Sequence, residues 1–104
     1  DMIRHIVALR FRPGTSPATK AQLYAGLDSL RGHIAGILDF RTFGNVSPET
    51  ELVRGFKDVF WFDFRDAKAR DDYLVDQEHK AIGAKIVAEL EGGADGVFVA
   101  DVEF

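Results

Sequence analysis

Two imidazoles and one phenol are the side chains of this 104-residue chain best suited to move a proton. The first, His5, lies in the run Ile3-Arg4-His5-Ile6-Val7-Ala8-Leu9-Arg10-Phe11. Strand side chains alternate between faces, so His5 shares one face with Ile3, Val7, Leu9 and Phe11. An imidazole on such an apolar face must find a hydrogen-bond partner or line a cavity, because a buried unsatisfied polar group costs about 1–3 kcal/mol. The second, His79, starts a helical stripe with Ile82, Ile86 and Leu90, which turns it toward the interior. Tyr73 stands six residues before His79, at the end of a short helix. A histidine kept neutral by burial can accept a proton from a carbon beside a carbonyl, with a tyrosine to orient it or to polarise the substrate. The same three residues could instead satisfy one another in an ordinary core, as a binding or structural module.

If His5, Tyr73 and His79 meet, the space between them is a small-molecule pocket with mostly apolar walls. Val7, Leu9, Asp58 and Phe60 are expected to line it from the strands, and Leu27, Ile82, Gly83, Ile86 and Leu90 from the helices. Suitable metal ligands exist in His5, Asp58, Asp76, Glu78 and His79, yet no HxH, HxxxH or HExxH spacing organises them, so no metal is expected. His33 follows a helix-ending glycine and reads as solvated. The glycines form no nucleotide-binding loop, and no hydrolytic triad is signalled. No cofactor is expected.

The elements that must position these residues follow from periodicity and punctuation. A strand over about 2–11 stops at Pro13-Gly14, and Ser16-Pro17 opens a helix carrying Leu23, Leu27 and Leu30 to about residue 31. A second strand covers 37–44, and 45–55 is a polar surface loop. The third strand, 56–64, puts Phe56, Asp58, Phe60, Phe62 and Phe64 on one face. Asp66 caps a short helix to about Leu74, and a further helix runs from about His79 to Glu91, ended by Gly92-Gly93. A last strand covers 96–104. The order β-α-β-β-α-β is the ferredoxin-like split βαβ plan, an α+β fold with helices on one face of a four-stranded antiparallel sheet. With His5, Val7, Phe60 and Phe62 toward the helices, the opposite face is expected to carry Ile6, Ala8, Val59, Trp61, Val97 and Val99. So apolar a patch calls for cover, and a homodimer with its sheets face to face would supply it.

Composition narrows the function classes. The chain is 46% hydrophobic and 29% charged, the balance of one soluble globular domain over residues 1–104. A net charge of −4 with no basic stripe argues against nucleic acid and anionic membranes as partners. No apolar run approaches the roughly 20 residues of a membrane span. The chain lacks cysteine and starts directly in a strand, which fits a reducing, cytoplasmic location without a signal peptide.

From Met2 to Phe104 the sequence resembles the stress-responsive α/β-barrel, or dimeric α+β barrel, family. The opening Ile3–Phe11 strand and the later Asp72-Tyr73-Leu74-Val75-Asp76-Gln77-Glu78-His79 carry the resemblance. Relatives include heat-stable plant proteins and a polyketide cyclase that forms olivetolic acid, in which a Tyr–His pair is thought to drive an intramolecular aldol closure. The resemblance implies that Tyr73 and His79 stand where that pair stands, with His5 in the same pocket and Leu23, Tyr24 and Leu27 in place of aromatic walls. Asp76-Gln77 replaces the family's usual His-Pro, and Asp58 replaces a further polar histidine of the cyclase.

Overall fold

The computed structural model describes residues 1–104. Its strands are β1 (Ile3–Leu9), β2 (Ile37–Gly44), β3 (Asp58–Phe64) and β4 (Val97–Glu103). Its helices are α1 (Pro17–Ser29), α2 (Thr50–Val53), α3 (Ala67–Val75) and α4 (Gln77–Val87). The strands form one antiparallel sheet in the order β2-β3-β1-β4, with the helices that carry the core on one face. This is the ferredoxin-like plan expected from the element order. No helix is long and apolar enough to cross a membrane.

Capping residues set the helix starts. The Ser16 hydroxyl accepts from the Thr19 N–H, and Pro17 takes the first helical position, where its missing donor costs nothing. Asp66 accepts from the Ala69 N–H at the head of α3. Asp76 does two jobs: its N–H ends α3 on the Tyr73 carbonyl, and its carboxylate starts α4 by accepting from the His79 N–H at 2.9 Å. Thus α4 begins at Gln77, earlier than the expected His79, and stops at Val87 rather than Glu91. The expected 45–55 loop also holds the one-turn helix α2, which has no side-chain cap.

The core explains much of the phenylalanine content. Phe60, Phe62 and Phe64 alternate inward along β3, and Phe40 of β2 sits with its ring centroid 4.6 Å from that of Phe62. Leu27 and Leu30 close over them, as do Ala69, Tyr73 and Ile86. Gly36, at φ +90°, lets α3 approach closely. A Cβ there would lie 2.5 Å from that of Ala69, so any side chain would push α3 off the sheet.

The register of β4 corrects the expected face assignment. His5 pairs with Asp101, Val7 with Val99 and Leu9 with Val97, so Val97, Val99 and Asp101 share the helix-covered face with His5. The outer face instead carries Phe98, Ala100 and Val102 of β4 beside Ile6, Ala8, Val59 and Trp61. Both alternating sets of β4 are apolar enough to be buried, so alternation alone does not distinguish them. On the outer face Arg4 is bound through two bonds to Asp63, at 2.8 and 3.0 Å, and lies over the rings of Trp61 and Phe104.

A candidate proton-transfer pocket

His5, Tyr73 and His79 meet. The Tyr73 and His79 rings are stacked, 3.7 Å between centroids and 26° apart, and His5 meets Tyr73 edge-on at 5.5 Å. The helix junction brings this about: Tyr73 lies on the last full turn of α3, and Asp76 turns the chain so that His79 follows on the first turn of α4. Tyr73 and His79 are thus stacked, not joined in the side-chain hydrogen bond that would orient an imidazole.

The three rings border a cavity of about 200 Å³ between sheet and helices. Val7, Leu9 and Phe60 wall it from the sheet, and Leu27, Gly83 and Ile86 from the helices. Four further residues complete it: Leu74 and Val87 from the helices, Val97 and Val99 from the edge strand β4. The two valines were expected on the other face.

Five residues expected at the pocket stand elsewhere. Asp58 pairs with Leu9, four residues along β1 from His5, which separates those positions by about 13 Å. Its carboxylate is engaged by Lys20 Nζ at 3.0 Å. Tyr24 packs its ring against Phe60, Leu23 and Ile82 pack around the core, and Leu90 is buried beside the bridge it makes with Phe11. His33, expected to be solvated, is exposed at its ring but bonds through Nε2 to the Asp76 carboxylate at 2.7 Å.

Sequence reasoning missed two residues that the geometry ties to the pocket. Asp101 Oδ1 lies 2.6 Å from His5 Nδ1, and its Oδ2 accepts from Arg70 at 2.6 Å. His5 is buried, and an aspartate on the adjacent strand is the partner that a buried imidazole requires. Burial would raise the Asp101 proton affinity, but the hydrogen bonds from Arg70 and His5 outweigh it and hold the carboxyl below its usual range. His79 is different. Burial lowers its proton affinity below the ordinary histidine value against the opposing effect of the Tyr73 backbone. Its Nδ1 is buried without a hydrogen-bond partner. Burial, with a smaller contribution from the Asp101 charge, raises the Tyr73 phenol and keeps it protonated. The pocket therefore offers a base (His79) and a donor (Tyr73), with a carboxylate-bound imidazole (His5) beside them. No three or more acidic or histidine side chains cluster so as to hold a metal ion.

Along its whole length the chain is similar to known proteins. The family model described as Stress responsive A/B Barrel Domain matches residues 3–104. A dimeric ferredoxin-like protein of unknown function from Jannaschia sp. is 30% identical, with each chain covered in full and a TM-score of 0.88. An Arabidopsis thaliana protein is 24% identical over 98% of this chain and 94% of its own, with a TM-score of 0.85. A hydroxynitrile lyase from Passiflora edulis shares the fold at 16% identity, over 98% of this chain and 92% of its own, with a TM-score of 0.81. No curated protein matches the chain in sequence.

Proposed function

The chain belongs to the stress-responsive A/B barrel family, and from that premise we propose that its cavity binds a small, largely apolar carbonyl compound and draws a proton from the carbon beside the carbonyl. One observation carries this reading. Two imidazoles and the Tyr73 phenol line one cavity whose other walls are apolar. In the proposed step His79 takes the proton, the C–H electron pair moves into an enolate, and the Tyr73 hydroxyl donates to the enolate oxygen. An aldol closure begins with the same proton transfer.

Acetophenone tests the reading without knowledge of the natural ligand. In deuterated buffer its methyl protons are expected to exchange faster with the protein than with buffer alone. Amide shifts should change around Val7, Gly83 and Val99 and not around Asp58. Binding without exchange would reduce the protein to a binding module, and the absence of both would reject the reading.

The outer sheet face supports the second part of the proposal, a homodimer with the sheets packed together. Phe98 and Phe104 are 60% and 54% exposed there, beside Trp61 and Val102, and several similar solved structures are described as dimeric. Light scattering is expected to give twice the chain mass, and Phe98→Asp, which places a charge in that face, is expected to return the single-chain mass. A wild-type monomer at micromolar concentration would refute the interface.

A further inference from the structure

The two oxygens of Asp101 are divided between two elements. Oδ1 faces His5 Nδ1 from the neighbouring strand, and Oδ2 is held by Arg70, one turn before Tyr73 on α3. Arg70 also donates to Asp71 at 2.8 Å, so two carboxylates hold its guanidinium, and its side chain is only 24% exposed. The groups around His5 are therefore known: Asp101 from β4, Arg70 and Tyr73 from α3, His79 from α4 and the Phe64 ring from β3.

We infer that Arg70 is a positioning residue that acts through Asp101 to fix His5 as a hydrogen-bond acceptor, and that the cavity selects ligands carrying a hydroxyl to meet it. An ionised carboxylate only accepts, so the hydrogen of the neutral ring must sit on Nδ1. In the neutral ring that leaves Nε2 bare, and it is the one polar atom His5 has left to offer the cavity that it lines. A bare ring nitrogen rewards a donor and is left unpaired by an apolar or purely accepting group. Arg70 matters because Asp101 sits on an edge strand with its side chain 26% exposed. A carboxylate there can turn toward water unless its second oxygen is anchored. The hydroxyl selection rests on the proposed ligand site; the Arg70 role does not.

Nitrogen-15 NMR of the histidine rings in the ligand-free protein tests the positioning. In the wild type, at a pH high enough that His5 is neutral, the ring is expected as a single tautomer with its hydrogen on Nδ1. Arg70→Met should convert it to a mixture with the Nε2–H form and move Asp101 titration upward, while Arg70→Lys, which keeps one charged donor, should restore the wild-type pattern. An unchanged tautomer and unchanged Asp101 titration in Arg70→Met would overturn the role. A merely structural Arg70 would lower the melting temperature without moving the tautomer.

Phenol and toluene, nearly equal in shape, test the selection. The phenol-to-toluene affinity ratio is expected to fall by about tenfold from wild type to Arg70→Met, the worth of one hydrogen bond. An equal ratio in the two proteins overturns the selection. Failure of both probes to bind the wild type would instead count against the ligand site, and leave the tautomer result to decide the Arg70 role alone.

Discussion

Phe62→Ala is expected to lower the free energy of unfolding by about 3–5 kcal/mol, a large share of what holds a domain of this size. Phe62 is 0% exposed, and its ring lies 4.6 Å from that of Phe40 and 4.9 Å from that of Tyr73, with Phe60 and Phe64 on either side. Four aromatic neighbours belonging to β2, β3 and α3 cannot all collapse into the gap, so the loss includes a cavity as well as the transfer of the ring. Leu38, 48% exposed beside the β2 bulge, is the control, and its change to alanine should stay within about 0.5 kcal/mol. Denaturant unfolding with a constant slope would read both values. A loss below about 1 kcal/mol for Phe62→Ala would mean that the sheet does not pack around this ring.

His79→Ala is expected to reduce acetophenone deuteration by about 10²–10⁴-fold while the protein stays folded. His79 is only partly buried, and its backbone N–H, which seats the Asp76 cap, survives the substitution. The pH profile carries a second expectation. A base must be deprotonated to act, and burial depresses the proton affinity of His79, so activity should persist as pH falls through the ordinary histidine range and drop only below it. Tyr73→Phe should keep the stacked pair and lose the donor, giving a smaller decrease with the same acid limb. An undiminished rate in His79→Ala would remove His79 from the chemistry.

How far these features could be read from the chain differs from residue to residue. The inward His5 was legible because it shares strand parity with Ile3, Val7, Leu9 and Phe11. His79 was legible because three aliphatic residues follow it at helical spacing. Tyr73 was placed beside it by its position at the end of a short helix six residues earlier and by the family resemblance. Asp101 was not legible, because an acidic residue in an alternating edge strand looks like one that faces water. Only the pairing of β4 with β1 turns it toward His5. Asp58 failed for the converse reason: it shares the face of Phe60 and Phe62, but strand parity gives the side of a residue and not how far along the sheet it lies. The helix α2 spans four residues, too few for any periodic signal.

The double use of Asp76 bears on how this chain can change over evolutionary time. With α3 closed and α4 opened by one residue, the distance in sequence from Tyr73 to His79 acts as a ruler. One amino acid added inside α4 before His79 would turn the imidazole by about 100° around the helix axis and shift it about 1.5 Å along it, which would break the ring stack. Insertions and deletions should therefore be purged between these two rings yet tolerated between Asn45 and Gly55, where gene lineages are free to lengthen or trim the protein.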